Sequence, residues 1–142
     1  MRKFKQKAAL TLTTAAMLAG SVFASSPANA ASSPIAACGG GSYHVIDQHA
    51  LSSYGTVYLM YNGSTDCVVT WKTAYVGTPT EMQAFVERES DFKAVVDDKK
   101  YSYYAGPVKI DAPGMCIIWG GSTALPSGAT ASAWYDYWSH CD

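Results

Sequence analysis

The sequence has few charged residues, no basic region beyond its first seven positions and, after position 24, no long apolar stretch. Of its 142 residues, 15% are charged and 49% are hydrophobic, a composition that excludes a disordered chain. Four of the ten basic residues lie at positions 2 to 7, which leaves six basic against eleven acidic residues in the rest of the chain. Nucleic-acid-binding proteins usually carry a basic patch that offsets phosphate charge, so we expect no nucleic-acid partner. The length predicts a single domain.

The N-terminal 30 residues have the organisation of a secretory signal peptide. A basic segment at 1–7 precedes an uncharged apolar stretch at 8–24, and the Ala-Asn-Ala sequence at 28–30 matches a cleavage site. A membrane anchor is the alternative, but a spanning helix needs about 20 strongly apolar residues, and this stretch contains three Thr and a Gly. We therefore expect the mature protein to be residues 31–142, secreted and free of the membrane after signal cleavage.

The cysteines lie in this mature region, and their spacing is unlike that of a zinc site. An even number of cysteines in a small exported domain indicates disulfides, whereas no C-x-x-C or comparably tight Cys/His spacing occurs. The shorter loops favour bonding of the first cysteine with the second and of the third with the fourth, although spacing does not exclude the other pairings. We expect two disulfides, no metal and no cofactor. The disulfide residues are Cys38, Cys67, Cys116 and Cys141.

Short β-branched and aromatic segments, separated by turn residues, predict an all-β fold. The segment Thr56–Tyr61 stops at Asn62-Gly63 and the pattern restarts at Cys67–Val76, which predicts a hairpin. Strands that recur in this way, without a convincing amphipathic helix, favour a small antiparallel sandwich or barrel stapled by the two disulfides. The other predicted strands are Tyr43–Asp47, Thr80–Glu89, Phe92–Val96, Tyr101–Ala105, Val108–Asp111, Met115–Trp119 and Ala133–Trp138.

The remaining segments are expected to connect the strands. We predict a flexible leader at 31–37, a charged turn at Asp97–Lys100 and a loop of small residues at Gly120–Gly128. For Thr80–Glu89 a helix is the alternative to a strand, because Met, Gln, Ala and Glu favour helices.

No segment matches a known catalytic arrangement. The glycine runs at 39–41 and 120–121 have neither the G-x-S-x-G sequence of a serine nucleophile nor the Lys-Ser/Thr pair of a phosphate loop. His44, Asp47 and His49 are close enough in sequence to suggest a metal or acid–base site, but residues 44 and 47 of one strand point to opposite faces. We predict a protein without enzymatic activity, with an enzyme that uses these three residues as an alternative.

The aromatic residues near position 135 are the most suggestive feature. On a regular strand, Trp134 and Trp138 share one face with Asp136 between them, while Tyr135 and Tyr137 occupy the other. Exposed rigid rings stack on sugars or dock partner proteins, and the alternative is that one row of rings fills the core. So small a domain cannot easily bury both rows of rings at once. We therefore predict a binding surface formed by Trp134, Tyr135, Tyr137 and Trp138.

Several segments match a known family in order along nearly the whole mature chain. They are Ala37–Gly41, Tyr43–Asp47, Gly55–Leu59, Tyr61-Asn62, Cys67–Thr70, Tyr104–Val108, Cys116, Trp119–Gly121 and Cys141. Together they resemble the spore-associated protein A family of secreted actinobacterial proteins. The resemblance implies a small exported protein found with spores or in the culture medium, and it brings no catalytic residues. The aromatic segment 134–138 departs from the family pattern.

These observations predict a secreted, monomeric protein at the spore or cell surface. Its expected partner is an envelope component, a polysaccharide contacted by the aromatic residues. The alternative is a secreted inhibitor of a hydrolase, or a small toxin, because a pre-ordered loop binds with little ordering cost. Its candidate loops are Asn62–Asp66 and Gly120–Gly128.

Overall fold

The computed structural model describes residues 31–142, which form eight strands and one short helix. The predicted signal peptide at 1–30 lies outside the described residues. The elements are α1 (Pro34–Cys38), β1 (His44–Leu51), β2 (Gly55–Tyr61), β3 (Thr65–Lys72), β4 (Thr80–Arg88), β5 (Lys93–Tyr101), β6 (Tyr104–Asp111), β7 (Ile117–Ala124) and β8 (Thr130–Ser139). The first sheet has the strand order β1-β2-β3-β6 and the second has the order β5-β4-β7-β8, with antiparallel pairing throughout. The all-β prediction is confirmed.

The core lies between the two sheets, which makes the fold a sandwich. Leu59 and Val68 from the first sheet meet Val86, Ile117 and Trp119 from the second, and all five side chains are completely buried. Alternate residues of each strand supply this core, as sheets packed face to face require. Burial of each such aliphatic side chain contributes about 1.5–3 kcal/mol.

Helix α1 covers the outer face of the first sheet, where a flexible leader was predicted. The hydroxyl of Ser33 caps the helix by accepting a hydrogen bond from the Ala36 amide at 3.0 Å. Gly39 ends it with a left-handed backbone, φ 117°. Ile35 packs with the buried Cys38, so capping and apolar contacts order the segment and the leader prediction is corrected from residue 34 onward. Within residues 31–142, no helix is long and apolar enough to cross a membrane.

Two disulfides tie the ends of the described chain to the sheets. Cys38 is bonded to Cys67 of β3, and Cys116 is bonded to Cys141, so no free cysteine remains among residues 31–142. This is the pairing that the shorter loops favour. Each bond contributes typically about 2–4 kcal/mol by restricting the unfolded chain.

Two local predictions are confirmed. The β2–β3 hairpin turns at Asn62, whose side-chain oxygen accepts hydrogen bonds from the amides of Ser64 at 3.1 Å and Thr65 at 2.8 Å. The segment Thr80–Arg88 is strand β4, so the helical alternative is wrong.

The charged segment Asp97–Lys100 belongs to strand β5 and is not the predicted turn. The Asp97 carboxylate accepts hydrogen bonds from the Tyr101 hydroxyl at 2.7 Å and from the Gly106 amide of β6 at 2.9 Å. It thereby links the edges of the two sheets. Charged residues suit β5 because it is an edge strand, where they discourage pairing with another chain.

The glycines at 120 and 121 lie inside β7, where a loop was predicted. On the inner face, a Cβ on Gly121 would lie 2.1 Å from the Thr70 hydroxyl, which donates a hydrogen bond to the Gln83 carbonyl at 2.7 Å. Glycine therefore lets the sheets approach, and the loop predicted at Gly120–Gly128 shrinks to a turn at 125–129. The inhibitor alternative loses most of one of its two candidate loops.

Candidate functional site

The aromatic residues of β8 divide between the two faces of the second sheet, but not as predicted. Trp134 points into the sandwich, where its ring meets the buried Trp119 edge to face with centroids 4.9 Å apart. It also stacks on His49 of β1 at 4.0 Å. Trp138 is 37% exposed and contacts the exposed ring of Phe92. The prediction that Trp134 and Trp138 share a face is therefore wrong.

A β-bulge in β8 explains the difference. The pairing of β7 with β8 shifts between Ile117 and Trp119, so that Tyr137 and Trp138 both stand opposite Ile118. Trp138 has a left-handed backbone, φ 47°. The extra residue breaks the alternation of side chains and separates Trp138 from the inner face.

A row of cross-strand neighbours crosses the outer face of the second sheet. Val96 of β5 pairs with Phe85 of β4, Phe85 with Gly120 of β7, and Gly120 with Tyr135 of β8. The rings of Phe85 and Tyr135 meet edge to face over the glycine, with centroids 5.9 Å apart. Phe85 was not among the predicted site residues. The alternation of side chains in β4 was the available signal, because it places Phe85 on the face of the strand that points away from the buried Val86.

This row forms the floor of a shallow groove of about 340 Å³. The groove is lined by Gln83, Phe85, Val96, Ile118, Tyr135 and Tyr137, which we call the aromatic face. Val96 is 50% exposed and Tyr137 is 68% exposed, so the apolar surface is open to solvent. Tyr135 and Tyr137 are predicted site residues that the structure brings together here.

Polar groups hold one side of the groove in place. The Tyr135 hydroxyl donates a hydrogen bond to the Gln83 side-chain oxygen, and the Gln83 amide donates to the Asp98 carboxylate at 3.2 Å. Burial raises the pKa of Tyr135, so its hydroxyl stays protonated and remains a donor at neutral pH. The aromatic face thus combines fixed rings with an amide and a nearby carboxylate. Its six residues include no histidine, cysteine or carboxylate for acid–base chemistry.

The histidines suggested as a catalytic group do not assemble as one. Asp47 contacts the imidazole of His140, 93 residues away, with Oδ2 2.9 Å from Nε2. The His49 ring is engaged with Trp134. The side chain of His44 makes no hydrogen bond, ion pair or ring contact with the other described residues. The alternative grouping of His44, Asp47 and His49 is therefore replaced by a pairing of Asp47 with His140. A register shift in β1 puts His44 and Asp47 on the same face, so the expectation that they point to opposite faces is wrong.

The fold and the aromatic face define a small, disulfide-linked β-sandwich with an open apolar groove on one sheet. Over 144 aligned residues, the chain is 35% identical to Spore-associated protein A of Streptomyces coelicolor, an alignment that covers 96% of this chain and 88% of that protein. The chain belongs to the spore-associated protein A family, as its motifs predicted. No protein-family model and no solved structure matches the chain.

Proposed function

We propose that this protein is exported as a monomer, associates with the spore or cell surface, and binds a neutral envelope polysaccharide through the aromatic face without catalysing a reaction. The name of its Streptomyces coelicolor relative supports spore association. The signal-peptide pattern at 1–30 supports export. The two disulfides are consistent with the oxidising conditions outside the cytoplasm.

The observation that carries the proposal is the aromatic face itself. The rings of Phe85 and Tyr135 are fixed by neighbouring strands, so little conformational entropy is lost when a ligand covers them. Tyr137 adds an exposed ring beside them. The apolar faces of sugar rings can stack on such a surface while their hydroxyls bond to polar groups such as Gln83, the usual combination in small-ligand sites.

Charge favours a neutral polymer over an anionic one. After position 7 the chain has six basic and eleven acidic residues, and Asp98 lies next to the groove. An anionic polymer would be repelled, most strongly at low ionic strength, where charges are least screened. Binding of a neutral polysaccharide should therefore depend little on salt.

A sedimentation assay tests the proposal directly. The full chain, expressed with export and with both disulfides formed, is mixed with purified spore envelopes, peptidoglycan or chitin. We expect sedimentation with at least one matrix and a loss of at least about tenfold in a Phe85→Ala/Tyr137→Ala variant, because contacts of two rings are removed. Near-ultraviolet circular dichroism checks that the variant remains folded.

Tyr103→Ala is the matched control. Tyr103 is 50% exposed and lies between β5 and β6, away from the six residues of the aromatic face. This variant should bind like the unaltered protein. Equal binding by the double variant, or no binding to any matrix, would contradict the proposal.

A further inference from the structure

A second polar site lies where the edge strands β1 and β8 face each other. The His140 imidazole is 2.9 Å from the Asp47 carboxylate, and one ligand atom of Asp136 lies within 4.8 Å of a ligand atom of each. We call these three residues the Asp–His cluster. The disulfide of the adjacent Cys141 with Cys116 fixes His140 at this edge.

A buried carboxyl faces the space beside this cluster. Asp66 of β3 is 4% exposed and, together with His140, lines a cavity of about 320 Å³. Among the described residues, no group donates a hydrogen bond to the Asp66 side chain. Buried polar groups in folded proteins almost always have a partner in the protein, water or a ligand. The lack of a donor for the Asp66 side chain is therefore evidence, independent of the cluster, for an occupant of the cavity.

The charges around the cavity favour a cation. Asp142 also lines it, so four carboxyl groups lie around the single imidazole of His140. Among the described residues, the only ion pair that any of these four carboxyl groups makes is the contact of Asp47 with His140. Carboxylates that are not neutralised repel one another, most strongly where water is excluded.

We propose that the Asp–His cluster binds a divalent metal ion through Nε2 of His140 and one carboxylate oxygen each of Asp47 and Asp136, with Asp66 on the cavity side. Imidazole and carboxylate together are the ligands of Zn²⁺ and related transition metals. Three protein ligands leave coordination positions for water. The sequence predicted no metal because these ligands come from separate parts of the chain.

Calorimetric titration of the chelator-treated protein with Zn²⁺ tests this site. The full chain with intact disulfides should bind one Zn²⁺ at a saturable site. Asp47→Asn and Asp136→Asn each preserve shape while removing a charged ligand, and each should weaken the affinity by at least about tenfold. Glu81→Gln removes an exposed carboxylate of β4 and should leave the affinity unchanged.

Nuclear magnetic resonance of the imidazole nitrogens provides a second readout. Addition of Zn²⁺ should shift the His140 signals and leave those of His44 and His49 in place. Absence of saturable binding, or equal weakening by Glu81→Gln, would overturn the proposal and leave the Asp47–His140 contact as an ion pair alone. The polysaccharide assay, repeated with a chelator, is independent of this result because the aromatic face contains none of the ligands.

Discussion

The ring of Tyr135 lies over Gly120, its direct partner across the β7–β8 pair. A Cβ on Gly120 would fall 2.6 Å from the Tyr135 ring and 2.2 Å from the Trp134 carbonyl oxygen. Both distances are far below van der Waals contact, so no other residue fits without movement of β8. The glycine therefore allows Tyr135 to reach Phe85 and form the floor of the aromatic face.

Replacement of this glycine should damage both stability and binding. In Gly120→Ala the added methyl group displaces the Tyr135 ring and the β8 backbone, and overpacking of this kind costs about 1–3 kcal/mol. Urea denaturation should show this loss in the free energy of unfolding, and the sedimentation assay should show weaker polysaccharide binding. Ala133→Ser adds one atom at an exposed position of β8 and should change neither. A Gly120→Ala protein with unaltered stability would contradict the packing described here.

The two tryptophans of β8 should respond differently to truncation. Trp134→Ala removes contacts with Trp119 and His49 and should lower the free energy of unfolding by at least about 2 kcal/mol. Trp138→Ala removes an exposed ring and should cost less than about 1 kcal/mol. Denaturation in urea with the disulfides intact measures both. Equal losses would mean that the two rings occupy similar environments, as the regular alternation of a strand predicts.

The sequence was sufficient for features that depend on local chemistry. The turn at Asn62 and the strand on either side follow from residue preferences over a few positions. The pairing of Cys38 with Cys67 was favoured by loop length alone. By contrast, Asp97 is a turn residue by preference, and only its tertiary contacts with Tyr101 and Gly106 show why it belongs to a strand.

The candidate sites were harder to predict because their members are distant in sequence. Tyr135 and Tyr137 were recognised from local composition, but Phe85 joins them only through two strand pairings. The bulge that separates Trp138 from Trp134 leaves no clear mark on the sequence, since any strand can accept an extra residue. Asp47 and His140 are 93 residues apart, and no local pattern links them.

The Asp97 carboxylate should be important for closing the sandwich between β5 and β6. Asp97→Ala leaves the Tyr101 hydroxyl and the Gly106 amide without their acceptor, which should lower the free energy of unfolding by about 1–3 kcal/mol. Burial, with the hydrogen bond and charge of Asp97, raises the pKa of Tyr101 to about 12. In the Asp97→Ala variant, Tyr101 should therefore titrate at a lower pH, which the absorbance of tyrosinate measures. Asp98→Ala, the neighbouring exposed carboxylate, should leave the pKa of Tyr101 in place.

Asp66 should make stability depend on pH near neutrality. Burial raises its pKa from 3.8 to about 7, against the opposing effect of charge on His140. Because the native state holds this proton more tightly than the unfolded chain, the contribution of Asp66 to stability is lost as pH rises from about 4 to about 7. Asp66→Asn removes that loss. In chelator-containing buffer the variant should gain stability over the unaltered protein at pH 8, by at most about 4 kcal/mol, and should gain nothing at pH 4.

Glu81→Gln separates this effect from a general change in charge, because Glu81 is exposed on β4. It should shift the free energy of unfolding by less than about 0.5 kcal/mol at either pH. Asp66→Asn without a gain at pH 8 would mean that the carboxylate is already compensated in the metal-free protein. Added Zn²⁺ should reduce the gain in stability of Asp66→Asn over the unaltered protein at pH 8, because a cation in the cavity stabilises the ionised form of Asp66. If Asp66→Asn kept its full gain in stability in the presence of Zn²⁺, the ion would lie away from this carboxyl.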